Sequence, residues 1–170
     1  PLSRDAPPRP LEENHPELRQ YEIRRKLSLD ANPFLNDHRI GEFPVLPATC
    51  AATWVASACE QLYPSHTFHL IENYKVLKGI VFDDNLAPEY VLDLKEIAKS
   101  ADGDVDFDAL IWSKNKAGKR IYNYSLRLKL VKEPPQAPIG EPIISTAGSS
   151  SQTVQGRDLY QDGTLFHGPA

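Results

Sequence analysis

The chain has 170 residues, of which 41% are apolar and 25% charged, so it is long enough to bury one sizeable core and is sized for one domain. A net charge of -4 with no basic stripe interleaved with aromatics argues against a nucleic-acid partner. No run of about 18 apolar residues and no signal-peptide pattern occurs, so neither a membrane span nor secretion is expected, and the cytoplasm is the expected compartment.

Residues 1–20 hold five prolines and many charges and read as an extended arm outside the core. From Tyr21 to Asp30, Ile23, Leu27 and Leu29 alternate as in a strand, with Arg24, Arg25 and Lys26 in its middle. Next comes a bent loop, "NPFLNDHRIGEFPVLP", with a single histidine, His38. The clearest helix follows: Ala51, Trp54, Val55, Ala58 and Leu62 keep the 3.6-residue period, Pro47 suits the first turn and Pro64 ends it. Five alanines give this helix a thin waist, which lets a sheet approach closely and predicts that it is enclosed. Cys50 and Cys59 stand nine positions apart, about 180° around a helix, so they should be two separate buried thiols.

Beyond the helix, "HTFHLIENYKVLKGIVFDD" supplies one or two strands and "PEYVLDLKEIAK" another, while "DVDFDALIWS" and "KRIYNYSLRLKLV" form a hairpin joined by "KNKAGK". These are expected to run antiparallel through short connections. Tyr122 and Tyr124 alternate with Leu126 and Leu128, which predicts one core-facing side of the last strand. Residues 21–132 thus form one domain. Residues 133–156, rich in Pro, Ser and Gly, read as a linker, and 157–170 as the start of a further unit, so the chain reads as a segment of a longer polypeptide. No His/Cys/Asp/Glu cluster has metal-ligand spacing, so no metal is expected. His66 and His69 at a strand start are expected to be surface or hydrogen-bonded residues; Arg24, Arg25 and Lys26, and Lys114, Lys116, Lys119 and Arg120 at the hairpin tip, could meet an acidic protein through complementary charge, but a solvated face and turn are the preferred reading.

Strand, loop, one small-residue helix and then antiparallel strands is the order of an α+β hotdog fold, an antiparallel sheet wrapped around one central helix. The segment from His15 to Leu62, with its Pro-aromatic-Leu-x-Asp-His lead-in and its His38 and Pro47 at the ends of an HxxxGxxxxP motif, resembles the N-terminal hotdog half of the dehydratase domains of polyketide synthases and polyunsaturated fatty acid synthases. "LFHGPA" resembles the start of their second hotdog, and the likeness covers roughly Leu27 to Val131 and this tail. The resemblance implies a lyase of fatty acid or polyketide biosynthesis that removes water from a β-hydroxyacyl thioester held on an acyl carrier protein. It implies no cofactor beyond the phosphopantetheine arm that carries the substrate.

In such domains the first hotdog gives a catalytic histidine and the second an aspartate, so the resemblance makes His38 the base. An imidazole with an ordinary pKa of about 6.5 can take an α-proton near neutrality. Gly41, Glu42, Leu46, Pro47 and Ala48 are then the expected substrate-binding positions, the start of the helix offering N–H groups to the thioester oxygen. The motif's glycine falls at Glu42, with Gly41 one place early, and a glutamate there should crowd or redirect the thioester. The implied partners are an acyl carrier protein and a second hotdog half or a homodimer partner. The competing reading is a non-catalytic hotdog that serves as scaffold or carrier-docking module within a multidomain synthase.

Overall fold

The computed structural model describes residues 17–136. In chain order they form β1 (Gln20–Arg25), a 3-10 turn (Pro33–Asp37), β2 (Arg39–Ile40), β3 (Phe43–Pro44), α1 (Ala48–Leu62), β4 (Thr67–Val76), β5 (Tyr90–Lys99), β6 (Val105–Lys114) and β7 (Arg120–Val131). Five strands make one antiparallel sheet in the order β1-β5-β6-β7-β4, and β2 and β3 make a small hairpin of their own.

Alternation builds the sheet. Tyr90, Leu92 and Leu94 of β5, Val105, Phe107, Ala109 and Ile111 of β6, and Tyr124, Leu126, Leu128 and Leu130 of β7 point to one side and are buried together. α1 lays Ala51, Val55, Ala58 and Cys59 on that layer, a stripe at helical spacing. Alanine and cysteine leave little side chain between helix axis and sheet, so the backbone comes close and few voids remain. Each fully buried Leu, Ile, Val or Phe contributes roughly 1.5–3 kcal/mol relative to exposure.

Four details differ from the pattern in the sequence. β1 ends at Arg25, because Leu29 and Asp30 are drawn into a turn in which Asn32 N donates to Leu29 O at 2.9 Å. The β4–β5 connection is not a hairpin: β4 pairs with β7 at one edge, and residues 77–89 carry the chain back across the sheet to β5. Tyr122 is exposed while Tyr124 is buried, because the β6–β7 register shifts between Ile111 and Trp112 and breaks the alternation. Cys50 is only half-buried, whereas Cys59 is enclosed, and both thiols are free.

One side of the assembly stays open. Phe68, Leu70, Val76 and Leu77, on and just after edge strand β4, are 39–56% exposed. Beside them a groove of about 370 Å³ runs between β4 and the face of α1 that carries Thr49, Ala52, Thr53 and Ala56. An apolar edge strand next to an uncovered small-residue helix face is a surface built for coverage. The first 16 residues of the expected arm, the linker after residue 136 and the 157–170 unit lie outside the described residues.

Candidate active site

The loop that holds His38 is shaped by its own backbone. Pro33 opens the 3-10 turn, Leu35 anchors it in the core at 0% exposure, and His38 N closes it by donating to Leu35 O at 3.1 Å. The chain then turns tightly through Gly41 and Glu42, between β2 and β3. Gly41 has φ +65 and Glu42 does not share that sign, so the glycine supplies the left-handed residue that a two-residue hairpin loop needs at its first central position. Arg39 braces the turn, its Nε donating to Asn36 O at 2.8 Å and its Nη1 to Glu42 O at 3.1 Å.

The hairpin returns the chain to the histidine. Val45 N donates to His38 O at 2.8 Å. Leu46 N then donates to Ile80 O at 2.9 Å, Leu46 O accepts from the Tyr124 hydroxyl at 3.3 Å, and Ala48 O accepts from the Tyr74 hydroxyl. These bonds tie the entry to α1 to the far edge of the sheet. Pro47 sits at the N-cap, and no side chain caps the helix, so its first N–H groups remain for another acceptor. Burial pushes the Tyr74 hydroxyl up to about 12 and also raises that of Tyr124, so both stay protonated donors at neutral pH.

His38 is half-buried at the end of the 3-10 turn, and Leu46, Pro47 and Ala48 follow after the β2–β3 hairpin. Gly41 and Glu42 lie exposed at the tip of the hairpin. Asp37, next to the histidine, keeps its Oδ1 buried with no hydrogen-bond partner among the described residues. His66 is held by Gly103 O at 2.8 Å and by Ser65 Oγ at 3.2 Å, and His69 is exposed, the hydrogen-bonded and surface placements expected of them. Glu60, near the other end of α1, accepts from Phe68 N at 2.8 Å. Arg24 of the basic run pairs with Glu22 and Glu89, and the Arg25 guanidinium stands 5.7 Å from the Trp54 ring.

Among the described residues no three His, Cys, Asp or Glu side chains gather as metal ligands, and no helix is long and apolar enough to cross a membrane. Burial pushes the Cys59 thiol up to about 12, which keeps it protonated. One charged residue escaped the sequence reading: Glu96 is 0% exposed. Its place in the alternation of Tyr90, Leu92 and Leu94 is the signal that marks it as inward-facing.

A family model described as the polyketide synthase dehydratase domain matches residues 11–109, from before β1 into β6. The chain belongs to the polyketide synthase dehydratase domain family. The matched residues correspond to the N-terminal hotdog half of such domains. A polyunsaturated fatty acid synthase protein of Thraustochytrium sp. is 30% identical over 150 residues, which is 87% of this chain and 5% of that protein.

Among solved structures, the dehydratase domain from the CurF module of curacin polyketide synthase aligns with a TM-score of 0.58 at 14% identity, over 89% of this chain and 51% of that one. An N-terminal dehydratase from the difficidin assembly line aligns with a TM-score of 0.52 at 17% identity, over 70% of this chain and 40% of that one. These likenesses establish the hotdog fold. The chain thus spans about half or less of the length of each of these dehydratase structures and a twentieth of the fatty acid synthase protein.

Proposed function

We propose that this hotdog is the histidine-bearing half of a dehydratase that removes water from β-hydroxyacyl thioesters carried by an acyl carrier protein. The observation that supports the reading is the 2.8 Å main-chain bond from Val45 N to His38 O, which joins the His38 backbone to the segment leading into an uncapped helix. A neutral imidazole at His38 takes the proton from the α-carbon. The electrons move toward the thioester carbonyl, whose oxygen gains charge where the N–H end of α1 can stabilise it. Collapse of the enolate re-forms the carbonyl, makes the α,β double bond and expels the β-hydroxyl, which leaves as water when an acid protonates it.

That acid comes from a second hotdog unit, an aspartate by family resemblance, and the second unit lies over the open side formed by β4 and α1. Leu46, Pro47 and Ala48 present backbone to the thioester, and the Gly41–Glu42 turn sets the height of the histidine beside them. The substrate brings its own phosphopantetheine arm, so the site needs no resident cofactor.

His38→Ala tests this. In a protein that contains both hotdog units, dehydration of a β-hydroxyacyl thioester, or hydration of the enoyl product, should fall by about 10²–10⁴-fold with the fold intact. The half alone should turn over poorly, because the hydroxyl leaves badly without a positioned acid. Equal turnover with and without the imidazole would favour the scaffold or carrier-docking reading, which the glutamate at the motif's glycine position supports.

A further inference from the structure

Arg24, Lys99, Arg127 and Lys129 each pair with an acid. Five cations at one end of the sheet do not. Lys78, Lys114, Lys116, Lys119 and Arg120 are all exposed, and among the described residues none of them is in an ion pair. Lys114 and Arg120 stand directly opposite each other in the β6–β7 register, a like-charge pair that costs stability unless something anionic answers it.

The cluster is held in shape. Asn115 Oδ1 accepts from Ala117 N at 3.0 Å and Lys119 N at 2.9 Å, and Gly118 takes φ +77 to close the turn. The Arg120 guanidinium lies 3.8 Å over the Trp112 ring, whose Nε1 donates to Asp93 at 2.7 Å. Lys78 and Asn123 both line a cavity of about 450 Å³, and Lys78 N donates to Asn123 O at 3.1 Å. The floor is the buried pair Ser113 and Asn123, 3.2 Å apart. Asp83 is the acid on this rim, and its carboxylate is taken up by Asn85 N at 2.8 Å.

This end is also the end of the histidine. Ile80 O holds Leu46 N, and Lys78 lies two residues away, at most about 7 Å along the chain. The Tyr124 hydroxyl holds Leu46 O, and Arg120 lies four residues back along β7, about 13 Å at strand rise.

We infer that the β6–β7 tip and the segment around Lys78 form the docking surface for an acidic protein face, that of the carrier which presents the thioester to His38. The identity of the partner rests on the proposed function; the surface rests on the cluster of exposed cations that form no ion pair among the described residues. Opposite charge at this end steers the partner toward the site and sets its orientation.

The test measures binding of a holo acyl carrier protein to the full chain, without reference to turnover. Lys114→Glu with Lys116→Glu and Lys119→Glu should weaken Kd by roughly tenfold or more at low salt. The same three positions as Gln should fall between, and wild-type affinity should drop as ionic strength rises. Lys26→Glu, outside the cluster, should bind as the wild type does, and thermal unfolding of each variant checks that the fold survives. Unchanged affinity in the Glu variant, or no measurable carrier binding by the wild-type chain, would overturn the inference. His38→Ala should keep full carrier affinity; if it also kept its turnover, the catalytic reading would fall while the docking result stood.

Discussion

The Tyr21 hydroxyl donates to the Glu96 carboxylate at 2.9 Å, joining the first strand of the domain to the middle of β5. The same carboxylate accepts from Arg19 N at 2.8 Å and from the Tyr63 hydroxyl at the end of α1, and pairs with Lys99 Nζ at 2.7 Å. One buried charge therefore fastens the chain entry, the helix end and the sheet. Burial alone would raise the Glu96 carboxyl; the Lys99 ammonium and the Tyr63, Arg19 and Tyr21 donors outweigh it and hold the group at about 2. The Tyr21 hydroxyl is pushed up to about 12, first by burial and then by the carboxylate.

A folded pKa below the ordinary value of 4.5 means that Glu96 stabilises the fold above about pH 4.5 and loses that contribution as pH falls toward 2. Glu96→Ala should cost about 3–5 kcal/mol at pH 7, since it leaves three donors without their acceptor and Lys99, whose Nζ keeps Glu17 O, without its acid. Glu96→Gln should flatten the acid dependence. Urea unfolding at pH 7, 5 and 3 reads both; a wild-type and a Gln variant that lose stability in parallel between pH 5 and 3 would refute the assignment.

The turn beside His38 should depend on a glycine for its backbone alone. At Gly41 an added Cβ meets nothing within 4 Å, so Gly41→Ala costs only the left-handed φ, about 1–2 kcal/mol. Glu42→Ala, at an exposed position, should stay within about 0.5 kcal/mol. Denaturant midpoints of the two variants decide it, and a neutral Gly41→Ala would show that the loop tolerates another geometry.

The two sides of α1 should respond differently to added bulk. Ala51 is 0% exposed against the sheet, and Ala51→Leu should destabilise by about 1–3 kcal/mol through overpacking. Ala52, on the open groove, should accept leucine with little loss in the isolated half. Equal thermal shifts in the two variants would contradict the one-sided packing.

Leu70 lies on edge strand β4 and is 43% exposed. Leu70→Lys should leave the fold of the half intact and weaken its association with a second hotdog unit or a second copy, because a lysine blunts an edge strand. Sedimentation at several concentrations reports the change; unaltered association would place the contact elsewhere.

The helix was legible because its signals are local: Pro47 and Pro64 bracket it, and the apolar spacing of Ala51, Val55 and Ala58 sets its inner face. His38 stood out through a spaced motif, and its main-chain carbonyl accepts from Val45 N, three residues before the helix; its role rests on the resemblance. The strand order was hidden because pairing β4 with β7, and β1 with β5, depends on contacts far apart in sequence. Tyr122 misled because its own strand carries an extra residue, Asn123, at the register shift opposite Ile111 and Trp112, which resets the two-residue period. Glu96 was passed over although it stands in phase with Leu92 and Leu94, since a charge is read as exposed until its partners Lys99, Tyr21 and Tyr63 are seen.

The strand order also bears on how the molecule assembles in time. β5, β6 and β7 are consecutive hairpins whose contacts close short loops, so they can form early, whereas β1 and β4 must each bring distant chain to an edge. The bond from the Tyr124 hydroxyl to Leu46 O spans 78 residues on the His38 side. During synthesis the loop of His38 therefore emerges well before the strands that hold it, and the proposed catalytic end takes its final shape only once β7 has left the ribosome.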